Sequence, residues 1–332
     1  MIELCIEPGR TVTWEEFKLE STARDVGSIG LDGYVKGQPR FERVVNEAGH
    51  CIGVQNFNHH EEVNRLATLA TCQQVDIALK SGFVDGFREE HGRFMANVYV
   101  NDSDQDVCAA VWLLRNKHLV HDQGSPVINR FVTVAGLMDM TAGSYPFDQD
   151  TPFLETLNWI NQPYNQARLN GEATSNDPEV HRMIIDAVGS RIDKYIVGRD
   201  EKVPLDTRYT PLEKGKGWMM IREVGPQGKL GAINDGADAL IQVRDNDPEH
   251  MHVSFWRKSE WIPIDFHHIM ERLNEAELAR LKELQLIDHD VDSLDATRAW
   301  GGGNTTFGSP RVIGTRLDLS EIAEIADEFS NI

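Results

Sequence analysis

Cysteine is scarce and scattered in this 332-residue chain. Cys5, Cys51, Cys72 and Cys108 form no CxxC or paired spacing, which argues against a disulfide framework or a cysteine-rich zinc site and makes a reducing cytoplasm the expected compartment. No apolar run approaches the roughly 18 residues of a membrane span, and Met1 to Glu7 lacks the basic start and apolar stretch of a secretory signal, so no membrane partner is expected. Positive charge is also short. The 33 Lys and Arg stand against 53 Asp and Glu, a formal charge of −20. Such a surface repels a polyanion, so extended nucleic acid is not expected as a ligand without a local basic groove. A small phosphorylated substrate held through a metal remains compatible. The bland reading of most carboxylates is a solvated surface.

Hydrophobic residues make up 40% of the chain, enough for one large core or two medium ones. Strand-like runs at Ile2 to Ile6, Ser28 to Val35, Ile52 to Phe57 and Met95 to Val100 alternate with helical segments. Between Glu62 and Ser81, Leu66, Leu69, Cys72, Val75 and Leu79 recur at steps of three and four and predict one helix, with Gly82 as its stop. Val107, Val111 and Leu114 predict another, starting directly after Asp104. Residues 129–198 read as mainly helical, broken by Pro146, Pro152, Pro163 and the polar stretch from Asn170 to Pro178. A charged segment with Pro and Gly, residues 198–217, separates this from strands at Trp218 to Val224, Leu230 to Ile233, Ala239 to Arg244 and His252 to Trp256. Helices are expected at Phe266 to Leu273, Glu277 to Leu286 and Ser320 to Phe329. The fold class is therefore α/β: an N-terminal α/β sheet domain over residues 1–200, then a smaller α+β domain with an antiparallel sheet over residues 215–332.

Chemistry gathers where predicted strands give way to loops. Asp32 lies in Leu31-Asp32-Gly33, which also reads as an ordinary Asp-Gly turn. Asn58, His59 and His60 follow a buried strand, at the edge where open α/β sheets place their sites. Two adjacent imidazoles in an extended chain cannot point the same way, so His59 is read as a ligand and His60 as a proton-transfer group; a pair of idle loop histidines is the competing reading. Asp102, Asp104 and Asp106 end a third strand before a helix, where Asp102 or Asp104 could instead be only its cap. Asp139 ends a further hydrophobic run, with a buried structural role as the alternative. Finally, Gly301, Gly302, Gly303, Asn304, Ser309 and Arg311 lie in a loop whose amides could form an anion nest, with Arg311 gripping phosphate, or which could be a plain surface loop.

Asn58-His59-His60, Asp104-Gln105-Asp106, Met138-Asp139-Met140-Thr141 and Gly301-Gly302-Gly303 through Arg311 resemble, in turn, the Asp-His-His signature, the DxD turn, the later metal-binding aspartate and the C-terminal glycine loop of the DHH-type phosphoesterases. The likeness covers motifs only. Asn58 stands where that superfamily has Asp, and the histidines precede the DxD turn, so the match needs a circular permutation or another strand order. The resemblance implies an α/β domain with a site for one or two Mn²⁺ or Mg²⁺ ions and a smaller domain presenting a phosphate-gripping loop.

The expectation is a metal-dependent hydrolase of a small phosphoester, phosphoanhydride or short nucleotide. Asp32, His59, Asp104, Asp106 and Asp139 would hold the ions, His60 and Arg311 would act in catalysis, and residues 301–304 with Ser309 and Arg311 would bind substrate. Two alternatives stand beside it. One is a single-Zn²⁺ amide or ester hydrolase using His50, Cys51, His59, His60 or Cys72. The other is a non-catalytic protein that binds a phosphorylated ligand. A homodimer is compatible with either.

Overall fold

Central strands and edge strands differ in what they must bury, and that difference organises the first half of the chain. The computed structural model describes residues 1–60, 62–88, 92–121, 124–147, 151–247, 250–295, 297–310 and 313–330, with only the backbone of 245–247 and 250. The chain divides into two units: Met1–Thr141, Tyr145–Arg168 and Ser175–Pro204 form the first, and Ala142–Ser144, Leu169–Thr174 and Leu205–Ile332 the second.

The first unit runs β1 (Ile2–Ile6), α1 (Trp14–Thr22), β2 (Gly27–Leu31), β3 (Arg40–Val45), β4 (Cys51–Phe57), α2 (Thr71–Lys80), β5 (Ala96–Val100), α3 (Gln105–Arg115), α4 (Pro126–Met140), α5 (Pro152–Leu169) and α6 (Pro178–Ile196). Its strands lie in the order β1-β5-β2-β4-β3; the first four are parallel and β3 closes the edge antiparallel to β4. Every residue of β2 and β5 is buried, as parallel strands covered on both faces must be. β3 alternates between partly buried and exposed, and its polar sequence Arg-Phe-Glu-Arg-Val-Val concealed it from a hydrophobicity reading. Helix α3 is buried from Asp106 to Leu114 and packs on α2, α4 and α6. Val12, Trp14, Phe17, Tyr34, Val35, Val54 and Tyr99 form a separate cluster, in which the Phe17 ring meets Tyr34 and Tyr99 edge-on.

Two helix expectations are corrected here. The helix predicted from Glu62 begins only at Thr71; Arg65–Ala67 is a single 3-10 turn capped by Asn64, and Leu69 is exposed. Pro163, expected to break the chain, lies inside α5. Proline removes the bond to the carbonyl four residues back, that of Trp159, and the Arg191 guanidinium donates to that oxygen instead.

The second unit runs β6 (Tyr209–Lys214), β7 (Met219–Glu223), α7 (Gly228–Asn234), β8 (Ala239–Asp247), β9 (His250–Arg257), α8 (Phe266–Glu283), β10 (Gly301–Gly302), β11 (Thr306–Gly308) and α9 (Leu319–Glu328). Its sheet has the order β10-β11-β9-β8-β7-β6. The expected strand over Leu230 to Ile233 is helix α7, which carries the chain across so that β7 and β8 pair parallel; the other pairs are antiparallel. The sheet is therefore mixed, and β6 occupies part of the segment read as a linker. The two helices expected between Phe266 and Leu286 are one. Ile269, Leu273, Glu277 and Leu281 form its buried stripe, and the charged Glu277 within that stripe hid the continuity. Glu277 is fully buried and accepts from Trp300 Nε1 (3.1 Å), Thr315 Oγ1 and the Arg316 amide (2.8 Å), which compensates its burial. Ile269, Leu273, Ile322, Ile325 and Phe307 belong to one apolar core.

Candidate metal centre

The strand order β5-β2-β4 sets three parallel carboxyl ends side by side, about 4.8 Å apart from strand to strand. β2 delivers Asp32 in the middle, β4 delivers His59 and His60 on one side, and the turn after β5 delivers Asp104 and Asp106 on the other. Asp139 arrives from the last turn of α4. His59 Nε2 stands 2.8 Å from Asp139 Oδ2, 3.4 Å from Asp32 Oδ1 and 3.7 Å from Asp106 Oδ2. His60 Nε2 lies 2.8 Å from the same Asp32 oxygen. Among the described residues, two groups bring ligand atoms within 4.8 Å of one another: Asp32, His59 and His60, and His59, Asp106 and Asp139.

Local structure fixes each candidate ligand. Asp32 and Gly33 both take positive φ (47° and 83°), and the Tyr34 amide closes the turn onto Leu31 O at 3.1 Å. The Asp-Gly turn and the candidate ligand are thus one feature: the turn that glycine favours swings the Asp32 carboxylate off the strand end, where the Thr71 hydroxyl donates to it at 2.9 Å. Asp106 receives the Thr71 and Cys72 amides at 2.6 and 2.8 Å. It therefore caps the start of α2 from another element, which is why that helix begins at Thr71. The two histidines do not diverge as an extended chain would require. Beyond Phe57 the chain leaves the strand, and the rings meet edge-on with centroids 4.7 Å apart, both facing Asp32.

Asp104 and Asn58 take roles that sequence left open. Asp104 is the N-cap of α3, its Oδ1 accepting from the Val107 amide at 2.9 Å, and it belongs to neither ligand group. Asn58 points away from the cluster. Its amide nitrogen donates to Val35 O and Gly37 O (3.1 and 3.0 Å), and its oxygen accepts from the His60 amide at 3.0 Å. His50 and Cys51, offered for a single-zinc site, sit at the start of β4, a strand length of about 20 Å from the histidines beyond its end, so they cannot share an ion with them.

The electrostatics show a cluster short of positive charge. Burial works to lower the pKa of His59, but Asp139 and Asp32 outweigh it and raise it to about 10. Burial, reinforced by the Asp139 and Asp32 carboxylates, lifts Asp106 to about 7 despite the opposing His59 charge. Asp104 is pushed well up by burial and by Asp32, Asp102, Asp139 and Asp106. Asp32 is held low against its burial by His60 and His59, and Asp139 by Arg65 and His59. Two like charges 4 Å apart repel by about 4 kcal/mol at an effective dielectric of 20, more than one ordinary hydrogen bond offsets. His59 is fully buried, and neither of its ring nitrogens makes a hydrogen bond of good geometry. A buried imidazole whose Nε2 faces three carboxylates and whose Nδ1 is left unmatched fits the donor set of a divalent cation.

Four contributors carried weaker sequence signals. Arg65 is the only Lys or Arg between Arg43 and Lys80, and its guanidinium bonds the Asp139 carbonyl and carboxylate at 3.0 to 3.4 Å. Thr71 bridges to Asp32, as above. Ser103 and His181, both buried, meet at 2.9 Å between Oγ and Nδ1, and His181 Nε2 donates to Ser175 O at 2.8 Å, which ties the acidic turn to α6. Nothing in the sequence pairs Ser103 with a residue so far along the chain.

The glycine segment is a hairpin. Gly301 and Gly302 pair with Gly308 and Phe307, and the Gly303 amide donates to Thr306 O at 2.7 Å. Amides in a strand alternate in direction, so these do not converge into the expected nest. Asn304 is exposed and its carbonyl accepts from Arg257, while the Ser309 amide donates to Val253 O and its hydroxyl oxygen accepts from the Val253 amide. Arg311 lies outside the described residues. No protein-family model, curated protein or solved structure matches this chain. No helix among the described residues is long and apolar enough to cross a membrane.

Proposed function

We propose that the first unit is a metal-dependent hydrolase acting on a small phosphoester or phosphoanhydride. The observation that carries this is His59: a fully buried imidazole whose Nδ1 has no hydrogen-bond partner and whose Nε2 lies within 3.7 Å of three carboxylates. Oxygen and imidazole donors suit Mn²⁺ first, with Mg²⁺ and Zn²⁺ as competitors. His59, Asp106 and Asp139 would hold one ion. The lone pair of His59 Nε2 serves a single cation, so Asp32 and His60 belong either to that ion's rim or to a second ion bridged through Asp32. Bound divalent cations activate water and offset phosphoryl charge.

The chain's own residues supply the rest. The α2 amides keep Asp106 in place, and Thr71 does the same for Asp32. His60 is part-exposed at the rim and hydrogen-bonded to Asp32, which suits it to pass a proton to a leaving oxygen. Calorimetric titration of metal-stripped protein with Mn²⁺, Mg²⁺ and Zn²⁺, paired with a phosphoester panel, tests the reading. The expected result is metal-dependent turnover in the natural protein, and loss of at least a hundredfold in metal affinity and of turnover in a folded His59→Ala variant. Unaltered metal affinity in that variant overturns it.

A further inference from the structure

We propose that Arg65 is the phosphoryl-binding cation of this centre, contacting a non-bridging oxygen of the substrate. The inference rests on the metal-hydrolase reading above and adds the anion subsite that reading lacks.

Three observations lead there. Arg65 and the heart of the cluster are separated by one oxygen: Asp139 Oδ2 lies 3.3 Å from an Arg65 terminal nitrogen and 2.8 Å from His59 Nε2. A phosphoryl group on an ion held by His59 and Asp139 therefore comes within reach of the guanidinium. Next, Arg65 is largely buried, with a side chain only 14% exposed, yet its Nε has no hydrogen-bond partner. A buried guanidinium donor left unmatched costs free energy unless a ligand completes it. Third, its contacts with the Asp139 carboxylate are long, 3.3 and 3.4 Å from a single nitrogen, not the paired short bonds that a guanidinium makes with a carboxylate it exists to hold. The planar fork keeps donors for a tetrahedral anion.

The competing role is purely structural, Arg65 fixing Asp139 for the metal. The two roles predict opposite behaviour towards the cation. A guanidinium beside the site repels an incoming Mn²⁺, so its removal leaves metal affinity unchanged or improves it, whereas loss of a strut for Asp139 weakens it. The test takes the full chain, first titrated with Mn²⁺ alone and then, Mn²⁺-loaded, with inorganic phosphate, for the natural protein, Arg65→Gln and Arg65→Lys. The expected result is Mn²⁺ affinity within threefold of the natural protein or tighter in both variants. Phosphate should bind at least about tenfold more weakly to Arg65→Gln and be partly restored in Arg65→Lys. Phosphate affinity unchanged in Arg65→Gln, or Mn²⁺ affinity falling in step with phosphate affinity, overturns the subsite. If Arg65→Gln fails to fold, Arg65→Lys decides through the same two titrations, with phosphate binding as tight as in the natural protein counting against the proposal. Failure of the natural protein to bind any of Mn²⁺, Mg²⁺ or Zn²⁺ strikes instead at the metal reading itself.

Discussion

Asn58 neighbours two histidines at a strand end, where a carboxylate is the stronger ligand, yet its surroundings suit an amide. Its side-chain NH₂ donates to both Val35 O and Gly37 O while the paired oxygen holds the His60 amide, a combination a carboxylate cannot make. Asn56, near the end of β4, donates to the same carbonyls and to Gln38 O, so the 35–38 turn is held twice. Asn58→Asp replaces a donor with a buried negative charge facing two carbonyl oxygens. The expected outcome is a loss of about 3 kcal/mol in urea-denaturation stability, with no gain in metal affinity by calorimetry. A stable variant with tighter metal binding would instead return Asn58 to the role of a degenerate ligand.

Helix starts carry much of the site's construction. Three acidic side chains after β5 resemble one another in sequence, but each element end uses one differently: Asp104 caps its own helix α3, while Asp106 turns outward from the first turn of α3 to cap α2. This separates their expected behaviour. Asp104→Asn keeps a cap acceptor and removes a carboxyl that four neighbouring carboxylates oppose, so metal-free stability should stay level or rise, and metal affinity should stay within threefold. Asp106→Asn removes the charge of a proposed ligand, and metal affinity should fall at least a hundredfold. Parallel titrations of the two variants check the contrast, and equal losses in both would place Asp104 among the ligands. Asp102→Asn makes a useful control, since it changes the charge of the same turn outside both ligand groups.

At the scale of the whole chain, a buried cluster with more negative than positive groups would make the proposed metal a folding partner. A ligand that binds only the folded state at a hundred times its dissociation constant adds about 2.7 kcal/mol. Mn²⁺ should therefore raise the thermal midpoint of EDTA-treated protein by several degrees, read by calorimetry, and EDTA should reverse it. A midpoint indifferent to Mn²⁺, Mg²⁺ and Zn²⁺ speaks against a metal centre of any kind. The apolar cores impose no such dependence on the second unit, whose buried Glu277 is already matched by three donors.

Sequence alone determined most of the alternation of strands and helices in the first unit, the burial of β4, and the collection of Asp32, His59, His60, Asp106 and Asp139 at strand or helix ends, because hydrophobic periodicity reports local burial and polar residues mark where it stops. It could not show α7 in place of a strand, the single α8 across Glu277, or α2 beginning at Thr71, since each depends on a partner distant in the chain. The same holds at the site. Whether a carboxylate caps its own helix, caps a neighbour or faces an imidazole is decided by what stands opposite it, and only the β5-β2-β4 order puts Asp106, Asp32 and His59 opposite one another.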